Sequence, residues 1–156
     1  METDALIDAV RDYLDDEGYR YDYDAEDQAL TLGFNVKCKL KNVRVYWEFK
    51  KHGYIVYVIS PLNADKDDLG EMLRYVAMAN YGLYRGNFEI DCHDGEVRYK
   101  SYVSAEGLES LSREVIDISL DVGIAMMERY GNGIAALALG FSDAETEIKK
   151  AEEDES

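Results

Sequence analysis

The chain has 156 residues, 47% of them hydrophobic, with one proline and twelve glycines; this suits one packed domain and excludes collagen-like and proline-rich chains. A formal net charge of −16 argues against nucleic acid or an anionic membrane as partner, since both attract basic surfaces. Two distant cysteines, Cys38 and Cys92, make no disulfide framework and point to a reducing compartment.

The opening Met1-Glu2-Thr3-Asp4 leads into no long apolar run, so no signal peptide is expected. No stretch approaches the roughly 18 apolar residues of a membrane span, and a soluble cytoplasmic protein is the expectation. Residues 3–17 read as an amphipathic helix: Leu6, Val10, Tyr13 and Leu14 share a face, and Gly18 stops it. Tyr19 to Asp24 is a short strand candidate, followed by a turn over Ala25–Gln28. Leu30, Leu32, Phe34, Val36, Cys38 and Leu40 then alternate with polar or small residues, and Val43, Val45, Trp47 and Phe49 repeat the pattern. Period-two alternation predicts strands with one face buried and one wet. After a turn at His52-Gly53, Tyr54 to Ser60 is apolar on both faces and reads as a central strand. The hairpin-length connections predict a mostly antiparallel sheet.

Residues 61–103 organise the rest. Pro61 closes the central strand, and Asp65 is the expected N-cap of a helix running through about Tyr81, with Gly82 and Gly86 at its exit. Asn87–Asp91 and Glu96–Val103 flank Asp94-Gly95, a strong tight-hairpin signal. A long helix begins between Ser104 and Ser112 and is expected to end near Tyr130, where Gly131-Asn132-Gly133 breaks it. Leu108, Leu111, Val115, Ile118, Val122 and Ala125 hold a 3/4 spacing, and Ile116, Leu120, Ile124 and Met127 widen the stripe, so burial on more than one side is expected. From Ser142 to Ser156 the only large apolar residue is Ile148, so a frayed or disordered acidic tail is expected after a single domain over residues 1–141.

Asp91-Cys92-His93-Asp94 brings together a thiol, an imidazole and two carboxylates. On a strand Cys92 would point away from Asp91 and His93, so a polar hairpin tip is the better reading. Asp22-x-Asp24-x-Glu26 starts like a calcium loop, but Asp27 and Gly33 stand where glycine and glutamate are needed. His52 is the only other histidine, no zinc-ligand spacing exists, and neither a phosphate loop nor a nucleophile elbow is present. No catalytic set, metal site or cofactor is expected. Thirteen tyrosines suit half-buried strand surfaces and also interfaces, where tyrosine is enriched. The second helix shows a core stripe through Leu69, Met72, Leu73, Val76 and Ala77, and a side stripe through Met72, Tyr75 and Met78. A second stripe suggests a subunit contact, or else a helix sunk deeply in its own core.

The strand ending at Pro61, Asn80 at the close of the second helix, Gly86-Asn87-Phe88-Glu89-Ile90-Asp91, Asp94-Gly95 and Val97-Arg98-Tyr99 together resemble the YbjN-type bacterial family. That family is labelled a sensory transduction regulator and is similar in fold to type III secretion chaperones. The match is best from Tyr54 to about Tyr130; the Tyr19–Asp24 strand, the Gly131–Gly133 break and the acidic tail depart from it. The resemblance implies a non-enzymatic, homodimeric cytoplasmic protein that binds another polypeptide.

The expectations are therefore an α+β domain with a twisted antiparallel sheet and helices on one face, in the order α-β-β-β-α-β-β-α, type III secretion chaperone-like. Leu6, Val10, Leu32, Phe34, Val45, Trp47, Ile55, Val76, Phe88, Ile90, Val115, Ile118 and Val122 are the expected core. A homodimer is expected through Met72, Tyr75, Met78 and Phe88. The partner, a basic or amphipathic polypeptide, is expected on the open sheet surface at Tyr46 and Tyr57. A hydrolase or metal-dependent enzyme using Asp91, Cys92 and His93 is the alternative, and an acidic mimic of nucleic acid a second one, disfavoured because the acids are scattered over caps, turns and tail.

Overall fold

The alternating runs resolve into one six-stranded antiparallel sheet in the computed structural model, which describes residues 1–153. The strands are β1 (Asp22–Asp24), β2 (Ala29–Asn35), β3 (Asn42–Lys50), β4 (Gly53–Ile59), β5 (Asn87–Ile90) and β6 (Val97–Ser104), in the order β1-β2-β3-β4-β6-β5. The helices are α1 (Thr3–Asp16), α2 (Leu69–Asn80), α3 (Arg113–Ala138) and α4 (Ala144–Glu153). The five strands of the expected order are thus joined by a short sixth, β1, within the Tyr19–Asp24 strand candidate, and the expected last helix is followed by another. Among the described residues no helix is long and apolar enough to cross a membrane.

Register explains the core. Leu32, Val45, Val58, Tyr99 and Phe88 line up across five strands on the inner face, and Leu30, Trp47, Val56 and Ser101 form the next row. α3 lies over β4 and β6, α1 packs on β3 beside α3, and α2 covers β5 and touches α3. Polar groups pin the helix layer to the sheet. Tyr54 Oη and Ser119 Oγ lie 2.7 Å apart, and Ser101 Oγ donates to the Ser119 carbonyl at 3.0 Å. Tyr13 Oη donates to Asp117, tying α1 to α3.

Several boundaries differ from the sequence reading, each for a packing reason. α3 runs straight through Gly131-Asn132-Gly133. A Cβ on Gly131 would sit 2.6 Å from Cys38 Sγ, and one on Gly133 2.2 Å from Tyr75 Oη, so these glycines permit close approach and do not end the helix. The inward stripe of α3 is Ile116, Leu120, Met127, Tyr130 and Ile134. Val115 and Ile118, expected in the core, are 38% and 44% exposed. Phe34, Ile55, Ile90 and Val122 are only partly buried. Asp65 does not cap α2: its carboxylate accepts from the amides of Asp67 and Asp68 at 3.0 and 3.1 Å, in a turn before the helix. The chain is held there because the Ala64 amide donates to the Gly95 carbonyl at 2.9 Å.

The largest difference is the tail. Residues expected to fray form α4, which packs on α2 and α3. Its anchors come from elsewhere in the chain: Arg74 pairs with Glu145 at 3.0 Å, and the Ala144 amide donates to Glu71 Oε2 at 2.6 Å. The last part of the expected tail, residues 154–156, lies outside the described residues.

Candidate interaction surfaces

Among the described residues no helix lies over the outer face of the sheet. Its side chains follow from the register: Asp22, Thr31, Tyr46, Tyr57, Lys100 and Asn87 make one row, and Asp24, Ala29, Glu48, Ile55 and Tyr102 the next. The two expected partner-binding residues are therefore neighbours, their ring centroids 6.4 Å apart. They are not equally available. Tyr57 is only 8% exposed, because the Arg98 guanidinium lies 3.9 Å from its ring centroid. Arg98 and Lys100 each reach Glu89 at 2.9 Å. Burial pushes the Glu89 carboxyl up, but these two cations outweigh it and hold the group below its ordinary value. Tyr46 stays partly open, and burial followed by the nearby Asp27 and Glu48 carboxylates raises its phenol. Tyr102, 58% exposed, adds apolar area that the sequence reading did not assign to the site. It was legible as the outward partner of Ile55 once β4 and β6 are paired.

Beside Tyr46 the face opens into a hollow of about 660 Å³ walled by Tyr23, Asp22, Asp24, Glu26 and Asp27. Asp24 Oδ1 accepts from the amides of Glu26 and Asp27, as a solvated turn does. The acids thus sit at the β1 end of the open face and the Arg98–Lys100 pair toward its β5 end.

The expected dimer residues lie mostly inside the chain. Met72, Tyr75 and Phe88 are buried in the chain's own core, and Met78 is half-buried. The side stripe of α2 meets α3: Tyr75 Oη donates to the Tyr130 carbonyl at 2.8 Å, and Phe88 packs edge-on against Tyr130 and Tyr99. The sunken-helix alternative therefore describes that stripe. The apolar residues α2 leaves in solvent are Leu73 and Ala77, followed by Tyr81 and Tyr84, which are 93% and 85% exposed.

The Asp91–Asp94 group is the tip of the β5–β6 hairpin. Asp91 closes the loop, its amide donating to the Glu96 carbonyl and its own carbonyl accepting from Gly95 at 2.7 Å; Gly95 takes φ +75° there. The loop is longer than the tight turn expected. The Asp91 carboxylate accepts from the His93 amide at 2.8 Å, which with the imidazole beside it lowers its pKa. Cys92 and His93 point into water, the His93 side chain 99% exposed, so no enclosed chamber gathers a thiol and a base. Among the described residues no group of three or more His, Cys, Asp or Glu could hold a metal ion.

No curated protein matches the chain significantly. Several solved structures share the fold, among them these three. YbjN from E. coli is 12% identical, with a TM-score of 0.64 over 83% of this chain and 91% of that one. A chain of the ExsC–ExsE complex is 17% identical, with a TM-score of 0.60 over 86% of this chain and 96% of that one. A chain of the HopA1–SchA chaperone–effector complex is 12% identical, with a TM-score of 0.55 over 85% of this chain and 98% of that one. The architecture is thus that of the type III secretion chaperones: an antiparallel sheet with its helices on one face. The family described as "Putative bacterial sensory transduction regulator" matches residues 6–136, and the chain belongs to this family, YbjN.

Proposed function

We propose that the chain is a non-enzymatic protein-binding module of the chaperone or adaptor kind, a homodimer that holds another polypeptide on the outer face of its sheet. The observation that carries this is the tyrosine and isoleucine strip on a face that no helix among the described residues covers: Tyr46, Ile55 and Tyr102, with Tyr57 beneath Arg98. Tyrosine supplies apolar area with a polar tip, the composition enriched where proteins meet. The acids at the β1 end favour a basic or amphipathic segment. YbjN membership supports the reading. So does the likeness in fold to chains solved in the ExsC–ExsE and chaperone–effector complexes.

The dimer contact belongs to the part of α2 still open to solvent, Leu73 and Ala77 with Tyr81 and Tyr84 after the helix. Pairing two such stripes about a twofold axis buries them. Light scattering at micromolar concentration checks it: wild type is expected at twice the mass of one chain, and Leu73→Glu with Tyr81→Glu at the mass of one. A wild-type monomer sinks the dimer. The sheet face is checked by affinity capture from the native lysate with wild type and Tyr46→Ala with Tyr102→Ala as baits. A polypeptide held by the first and lost by the second is the expected result; identical captures from both count against the sheet face.

A further inference from the structure

We infer that α4 sits in a helix-binding groove formed by α2 and α3, and that an acidic amphipathic helix of another polypeptide can replace it there. The inference deepens the polypeptide-binding reading by adding a second surface, on the opposite layer from the open sheet face.

α4 begins beyond residue 136, where the family match ends. It is joined to α3 through a linker in which Gly140 takes φ +72° and Leu139 and Phe141 are exposed, a backbone that only glycine adopts at no steric cost. α4 has ten residues, and a helix that short is marginal in water by itself. Its helical form therefore depends on its seat.

The grip on that seat is weak at its centre. The inward positions of α4 are Ala144, Glu147, Ile148 and Ala151, and only Ile148 is a large apolar residue. Glu147 is 6% exposed. Among the described residues its hydrogen-bond partners are Ser142 Oγ at 2.8 Å and Lys150 Nζ at 3.3 Å, both on its own segment. The buried carboxylate thus loses water without bonding to α2 or α3, which opposes docking. The fit is also incomplete: a cleft of about 420 Å³ remains beside Glu147, walled by Leu62, Ala135, Ala136, Leu139 and Phe141.

The rim says what replaces α4. Arg74 of α2 takes the Glu145 carboxylate at 3.0 Å, and Tyr130 Oη of α3 donates to Glu152 at 3.3 Å. A competing helix carries acids at those two places and large apolar residues where α4 has Ala144, Glu147 and Ala151. It gains the burial that α4 forgoes and keeps the same charge match.

The probe is a fluorescein-labelled peptide of residues 141–153 carrying Glu147→Leu, titrated into full-length protein by anisotropy. It is expected to bind the Ile148→Asp chain at least about tenfold more tightly than wild type, whose own α4 competes. Adding Arg74→Glu to that chain is expected to remove the gain. Equal affinity for wild type and Ile148→Asp overturns the proposal. Should Ile148→Asp fail to fold by circular dichroism, hydrogen exchange on wild type decides. Residues 144–153 are expected to exchange at least about tenfold faster than residues 116–137, and equal protection overturns it. A Tyr46→Ala chain is expected to bind the peptide as its parent does, so failure of the groove and failure of the sheet face are separate results.

Discussion

Gly133 is placed where any side chain meets Tyr75 Oη, and that hydroxyl already donates to the Tyr130 carbonyl. Gly133→Ala gains helix propensity of about 0.8–1 kcal/mol but drives the ring out of its site. The expected net result is a loss of roughly 1–3 kcal/mol in urea denaturation. Gly70→Ala, also in a helix, meets nothing within 4 Å and is expected to gain up to about 1 kcal/mol in the same assay. A second residue effect is electrostatic. Burial, then the Asp117 carboxylate, raises the Asp121 carboxyl above its ordinary value. A carboxyl whose folded pKa is raised costs stability when ionised; that cost disappears as pH falls through the folded value toward the unfolded one. Asp121→Asn is therefore expected to be more stable than wild type at neutral pH, with the difference closing below about pH 4. Urea midpoints at the two pH values check both the sign and the closure.

Strands were the most legible elements, because a half-buried strand writes its burial into alternate residues. Val43, Val45, Trp47 and Phe49 are all buried, as their alternation requires. α3 was legible as a helix but not in its rotation. Its apolar stripe is wide, and only the sheet decides which part of it faces inward; the inward part is the one in line with Gly123, where a Cβ would lie 2.5 Å from Val58. The rotation is directly testable. Ile116→Ala is expected to cost about 2–4 kcal/mol and Ile118→Ala under about 1 kcal/mol, by urea denaturation. Equal costs would mean the helix is turned otherwise. α4 was illegible for a different reason. It is held partly by Arg74 and Glu71, about 70 residues earlier, and no local periodicity announces such partners. The interaction surfaces were half legible: Tyr46 and Tyr57 share the open face, but the covering of Tyr57 by Arg98 depends on a strand pairing across β4 and β6.

At the scale of the molecule, a net charge of −16 over 156 residues means self-repulsion in the folded state. Raising salt from low ionic strength to about 0.15 M shortens the screening length to roughly 8 Å, and the thermal midpoint is expected to rise over that range in a calorimetric scan. A fall would mean that ion pairs such as Arg113–Asp16 and Arg74–Glu145 outweigh the repulsion. One more consequence lies in the bond between Tyr13 and Asp117, which closes α1 against α3 across a separation of 104 residues. Synthesis at about 5–20 residues per second leaves an interval of roughly 5–20 s between the emergence of the two helices. Through that interval Leu6, Val10 and Leu14 lack their final cover, and a nascent chain stalled before residue 113 presents a greasy helix to the tunnel mouth. The order of translation, more than the depth of the finished core, sets when this protein is most exposed to capture by the cell's own folding machinery.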